Sequence, residues 1–272
     1  MNKFTINGST MHYVDQGEGP VLLMGHSYLW DHAMWAPQIE VLSQKYRCIV
    51  PDLWAHGASD AAPVQTVTLQ DYAQDLLALM DHLEVDTFSV IGLSVGGMWG
   101  TDLVALAPQR VTSLVLMDTF VGFEPEVTHA KYFGMLDAIT TAQAVPAPIV
   151  DAVVPLFFAN NAENDSPELV AHFRERLSSL TGQRAVDVAT IGRKVFGRRD
   201  AFDDLEAFTL PTLIMVGAED KPRTPLESQL MHDTVKGSSY FVIPNAGHIS
   251  NLEQPEIVTE KIEHFLTSVY AD

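Results

Sequence analysis

Short apolar runs alternate with amphipathic stretches along the chain up to about residue 119. Residues 3–17 read as two short strands, KFTIN and STMHYVDQG, joined at Asn7-Gly8. That dipeptide suits a type I′ hairpin turn, whose two central residues both need positive φ. The continuous apolar run VLLMG, ending at Gly25, predicts a strand covered on both faces. Residues 34–44 (MWAPQIEVLSQ) predict a helix, and YRCIVPDL the next strand. A capping box, Thr68 with Asp71, opens a helix running to about His82. Its apolar residues Leu69, Tyr72, Ala73, Leu76, Leu79, Met80 and Leu83 keep helical spacing. The strand TFSVI, the helix-compatible run MWGTDLVALA and the strand VTSLVLMDT (111–119) follow. Such alternation predicts an α/β fold, a mostly parallel central sheet with helices on both faces.

The pattern changes over residues 120–208. Helical pieces are interrupted by breakers such as Val145-Pro-Ala-Pro148 and Asn160-Asn-Ala-Glu-Asn-Asp165, and aromatic residues are frequent. This region is expected to be an inserted helical cap, with residues 1–119 and 209–272 forming the core. Strand patterning resumes at LIMVGAED and SSYFVIPNA, with helices expected near 225–235 and over 255–269.

A chain of 272 residues has room for one such domain with its insertion. Its 35 acidic and 16 basic residues leave a net charge of −19. A surface of that sign repels phosphate backbones and anionic lipid, so neither nucleic acid nor membrane is an expected partner. No apolar run approaches the ~20 residues of a spanning helix, and the first residues lack the features of a signal peptide. A cytoplasmic location is therefore expected. The single cysteine, Cys48, sits in a strand-like run and reads as a small buried hydrophobe. Nothing in the pattern specifies an oligomeric state.

The candidate chemistry lies at Gly92-Leu-Ser94-Val-Gly96. A serine between two glycines, after a strand and before a helix, belongs on a sharp turn that holds its hydroxyl above the sheet. The positive end of the helix then faces any oxyanion formed there. Serine is a weak nucleophile at neutral pH and needs a base and a group to orient that base. Of the ten histidines, His248 stands just past a strand in the flexible turn Asn245-Ala-Gly247. Asp220 ends the strand LIMVGAED at the same kind of sheet edge. Asp118, after the preceding strand, is the competing acid. His26 and His56 read as residues that fix loops by bonding backbone groups. No His, Cys, Asp or Glu grouping has metal-ligand spacing, and no G-x-G-x-x-G dinucleotide fingerprint follows Ser94. The chemistry requires no cofactor.

The segments LLMGHSYLWDHAMW, IVPDLWAHGASD, VIGLSVGGMWG, LIMVGAEDKPRTP and IPNAGHISNLEQPE together resemble the α/β-hydrolase fold family. The likeness extends over essentially the whole chain and is nearest to small esterases, enol-lactonases and perhydrolase-like members. It implies Ser94 as nucleophile, His248 as base and Asp220 as orienting acid, with an oxyanion hole from the backbone N–H groups of Tyr28 and Val95. Two positions depart from the family pattern. Ser27 stands where glycine is usual, which bears on the loop conformation and adds a hydroxyl. Trp54 replaces an arginine and is expected to make the pocket wall more apolar. The substrate pocket is expected to draw on Ser27, Trp54, Leu93, Phe120, Phe123, Phe157 and Phe158. The implied activity is hydrolysis of small to medium carboxylic esters or lactones. C–C bond hydrolysis, perhydrolysis and slow-turnover ligand reception are alternatives that the motifs do not separate.

Overall fold

The structure, a computed structural model, describes residues 1–271. Its centre is one eight-stranded sheet, in the order β1-β2-β4-β3-β5-β6-β7-β8. The hairpin of β1 (Asn2–Ile6) and β2 (Ser9–Gln16) turns at Asn7 and Gly8, with φ of 50° and 85°. Both values are positive, as a type I′ turn requires. β2 also pairs antiparallel with β4 (Arg47–Pro51). The remaining pairs are parallel, through β3 (Val21–Gly25), β5 (Phe88–Leu93), β6 (Val111–Met117), β7 (Thr212–Gly217) and β8 (Ser239–Ile243).

Alternation along these strands divides the core into two layers. Leu23, Val90, Leu114, Leu116 and Ile214 face one side, where they pack with residues of α2 (Leu69–His82) and α3 (Val95–Leu106). Leu22, Met24, Ile91, Val115 and Met215 face the other, with residues of α1 (Ala36–Leu42) and α11 (Pro255–Val269). Cys48 is fully buried in this second layer, and burial pushes its thiol up to about 12. The Thr68–Asp71 capping box forms in full at the start of α2. The helix expected over 34–44 is instead a 3-10 turn, His32–Trp35, followed by α1. Pro37 has no N–H and belongs in a first turn, so the α-helix begins beside it.

Between β6 and β7 the chain leaves the sheet for five helices, α4 (Glu126–Ala142), α5 (Ala147–Val153), α6 (Ala162–Asp165), α7 (Pro167–Ser178) and α8 (Gly182–Phe196). Apolar residues of these helices, among them Leu136, Ile139 and Phe173, join the second core layer, and charged groups bond backbone across the seam. Arg176 of α7 donates to the Leu29 carbonyl, Arg184 of α8 to those of Gly57 and Ser59, and Lys194 of α8 to that of Thr66. After β7 come α9 (Pro225–Thr234), then β8 and α10 (Ser250–Glu253) ahead of α11. No helix among the described residues is long and apolar enough to cross a membrane.

Two glycines mark opposite constraints. A Cβ on Gly96 of α3 would lie 2.4 Å from the Gly25 carbonyl oxygen, whereas one on Gly134 of α4 would meet nothing within 4 Å. Gly96→Ala is therefore expected to lower unfolding stability by about 1–3 kcal/mol through overpacking against backbone. Gly134→Ala should raise it by about 0.5–1 kcal/mol through helix propensity. Urea midpoints of the two variants check both signs.

Candidate active site

Ser94 sits where β5 turns into α3, with φ 56° and ψ −117°. A non-glycine residue holds so strained a conformation only where its surroundings over-determine it. Here the Ser94 N–H donates to the Met117 carbonyl (2.8 Å), and its own carbonyl accepts from the Thr119 hydroxyl (2.7 Å). The flanking glycines remove the obstacle to so tight a turn, since a Cβ on Gly92 would lie 2.2 Å from the Gly96 backbone.

The Ser94 hydroxyl lies 3.0 Å from Nε2 of His248, whose Nδ1 lies 3.0 and 3.1 Å from the two Asp220 carboxylate oxygens. An acid facing Nδ1 favours the tautomer with its proton there, which leaves Nε2 as an acceptor for the hydroxyl. All three residues are buried. Asp220 Oδ1 also accepts from the Arg223 N–H (3.0 Å), which fixes the carboxylate. The loop carrying His248 is packed against the inserted segment. A Cβ on Gly247 would lie 2.4 Å from the Phe158 carbonyl carbon, and the Phe157 ring stands edge-on to the imidazole at 5.3 Å.

The competing acid, Asp118, does not bond the imidazole. Its oxygens accept from the Gly217 N–H (2.8 Å) and the Ser250 hydroxyl (2.5 Å), and it is fully buried. Burial, with the neighbouring Asp220 charge, pushes its carboxyl well above the usual carboxylate range.

Val95 follows Ser94 in the chain, and Tyr28 lines one cavity with Ser94 and His248. Neither backbone N–H has an acceptor among the described residues. The Tyr28 loop is held by two imidazoles. His26 bonds the Ser27 carbonyl through Nδ1 (2.8 Å) and accepts the Leu53 N–H at Nε2 (2.8 Å). His56 bonds the Trp54 carbonyl (2.9 Å) and accepts the Leu29 N–H (3.1 Å). Burial lowers both, His56 to about 3, so each ring keeps one donor and one acceptor nitrogen. The left-handed residue of this loop is Leu29, at φ 71°, not Ser27. Glycine is therefore not required at position 27, which resolves the departure noted in the sequence.

Above Ser94 and His248 lies a largely apolar cavity of about 80 Å³. Of the seven expected pocket residues, Ser27 and Phe157 line it and five do not. Trp54 is fully buried elsewhere, its indole N–H donating to Asp75 of α2 (2.9 Å), because a buried indole needs an acceptor. Leu93 is fully buried in the core layer beneath, and Phe158 packs on Phe173 and Trp30. Phe120 packs on Phe202, and Phe123 points to solvent at 60% exposure. The walls come instead from Tyr132, Met135, Leu136 and Ile139 of α4, Val195 and Phe196 of α8, and Arg223 beside Asp220. The four α4 residues follow the i, i+3, i+4, i+7 spacing of one helix face, a signal already present in the sequence.

Spacing also concealed the cluster of Asp31, His32 and Asp52, whose ligand atoms lie within 4.8 Å of one another. Asp52 is 20 positions along the chain from His32, so only the fold brings them together. Asp52 accepts from the His32 ring and from the His32 and Ala58 amides, and Asp31 pairs with Arg176. Burial works to raise the Asp52 carboxyl, but these bonds outweigh it and hold it down to about 2. These bonds join the loop of Asp31 and His32 to the end of β4.

A family model described as alpha/beta hydrolase fold matches residues 20–255. The 3-oxoadipate enol-lactonase 2 of Acinetobacter baylyi is 27% identical over 248 residues, which span 91% of this chain and 89% of that protein. A thermophilic esterase from Thermogutta terrifontis superposes with a TM-score of 0.91 at 28% identity, covering 99% of this chain and 100% of that one. An enol-lactonase from Burkholderia xenovorans does so with a TM-score of 0.87 at 26% identity, covering 98% and 100%. By the extent of that family match and the sheet that underlies it, this chain belongs to the alpha/beta hydrolase fold family.

Proposed function

We propose that this chain hydrolyses small to medium carboxylic esters or lactones through an acyl-enzyme on Ser94, with residues 120–208 as the cap over the site. The observation that carries the reading is the hydrogen-bonded series from Ser94 Oγ through His248 to Asp220, set at the floor of an apolar cavity. Similarity to enol-lactonases and to an esterase supports the same substrate classes.

In this mechanism His248 Nε2 takes the Ser94 proton as Oγ attacks the substrate carbonyl carbon. The tetrahedral oxyanion accepts from the free amides of Tyr28 and Val95. The carbonyl re-forms as the C–O bond to the leaving alcohol breaks, and His248 returns the proton to that oxygen. For a lactone, the alcohol stays tethered to the acyl group. Water then attacks the acyl-enzyme, giving its proton to His248, and Ser94 leaves with that proton. Asp220 holds the imidazole in place and stabilises its cationic form. The apolar cavity and its α4 wall favour apolar acyl groups.

Wild-type protein is expected to turn over short p-nitrophenyl esters repeatedly and to bind a fluorophosphonate probe covalently. Ser94→Ala should stay folded, lose several orders of magnitude in turnover and take up no probe, so a labelled mutant would refute the nucleophile. Asp220→Asn should lower kcat by about 10⁴, as in other serine triads. Asp118→Asn, whose bonds run to Gly217 and Ser250, should cost less than about tenfold; the reverse ranking would move the acid to β6. Ser27→Gly should change kcat/KM only a few-fold, because the loop bends at Leu29 and the Ser27 hydroxyl only weakly meets the Tyr28 carbonyl, at 3.4 Å. A drop beyond about tenfold, the scale of one lost hydrogen bond, would make that hydroxyl part of the reaction.

A further inference from the structure

A cleft outside the catalytic cavity gathers Arg193, Lys194, Arg198 and Arg199 at the seam between the end of α8 and the start of α2. Only one acidic residue, Asp102, lines it, on a protein whose net charge is −19. Two of the four cations are matched. Arg193 pairs with Asp137 (2.5 Å), and Arg199 with Asp102 (2.7 Å) and Asp204 (2.5 Å).

Among the described residues, Lys194 has no carboxylate partner, and Arg198 shares its one with another arginine. Lys194 donates to the carbonyl oxygens of Thr66 (2.7 Å) and Val67 (3.2 Å), which carry no formal charge. Asp71, whose charge reaches Lys194, is already taken by the Val67 and Thr68 amides and the Thr68 hydroxyl. Arg198 is 9% exposed. Its one carboxylate partner, Glu124 (3.1 Å), is held more closely by Arg223, at 2.5 and 2.7 Å. Nε and one terminal nitrogen of Arg198 are buried with no acceptor among the described residues. Burial lowers both cations, Arg198 to about 10. Desolvated donors left unpaired are costly, and an arginine fork is shaped for an oxyanion.

We propose that this cleft binds an oxyanion of the phosphate type. Lys194 on the last turn of α8 and Arg198, two residues beyond the end of that helix, line the same cleft. Lys194 supplies a charge with no carboxylate of the described residues within ion-pair distance, and the unpartnered Arg198 nitrogens supply the donors. Gln70 borders the same cleft from α2, so the bound anion bridges an inserted helix to the sheet domain. The adjacent residues Val195 and Phe196 line the catalytic cavity, so α8 is the wall between the two sites. The proposal does not depend on the hydrolytic reading.

Calorimetric titration of the full-length protein with inorganic phosphate, at constant ionic strength set with chloride, tests it. One saturable site is expected, with sulfate competing for it. Lys194→Met and Arg198→Lys should each weaken phosphate binding by about ten- to a hundredfold, the effect of one charge-assisted hydrogen bond. Thermal melts confirm that each variant is folded, and the lysine at 198 keeps the charge while removing the fork. Ser94→Ala and fluorophosphonate-labelled protein should bind phosphate as the wild type does. Absence of saturable binding, binding unchanged in both cleft variants, or binding lost on labelling Ser94 would each overturn the proposal.

Discussion

Backbone packed directly on backbone at the sheet's centre is the constraint on which the site depends. Gly25 of β3, Gly92 of β5 and Gly96 of α3 meet so closely that a Cβ on any of them would fall within 2.4 Å of a neighbouring atom. Only this approach lets α3 start immediately above the sheet. The strained dihedrals of Ser94 follow from it, because the chain has one residue in which to reverse from strand to helix. Trp99, whose ring would meet a Cβ on Gly25 at 2.2 Å, seals the contact from the helix side.

Around that fixed point, buried polar groups act as rigid spacers. His26 and His56 carry neutral rings that each bridge two backbone groups, and so hold the loop of Tyr28 without adding charge near the site. Asp118 performs a related task beneath Asp220, tying the end of β7 to the start of α10 through Gly217 and Ser250. Such groups are stable only because each donor finds an acceptor in a place where water does not reach.

The inserted segment is bound to both loops that carry the candidate site. Lys221 donates to the carbonyls of Pro155 and Phe158, and Glu219 accepts from the Asn160 amide, both beside Asp220. From the His248 side, Glu253 accepts from the amides of Gly247 and Ala159. Residues 155–160 thereby act as a strap across the two loops, and Phe157 on that strap touches the imidazole. Displacing the inserted helices would disturb the spacing between Asp220 and His248 as well as the cavity wall.

The sequence alone determined the order of strands and helices, the Asn7-Gly8 turn, the α2 capping box and the Ser94 elbow. Each depends on residues within a few positions of one another, where backbone sterics and local hydrogen bonds dominate. The juxtaposition of Ser94, Asp220 and His248 was legible as well, because each follows one of the strands β5, β7 and β8, which run parallel in the sheet. Only the tertiary structure decided where Trp54 points, since its indole bonds Asp75 on a helix reached after a loop. It likewise decided which helix lines the cavity. The stripe Tyr132, Met135, Leu136 and Ile139 is visible in the sequence, but its partner surface is set by how α4 and α8 pack over the sheet. The meeting of Asp31, His32 and Asp52, and the shared Glu124 between two arginines, were equally hidden. Contacts between distant segments depend on packing and desolvation, which no local pattern records.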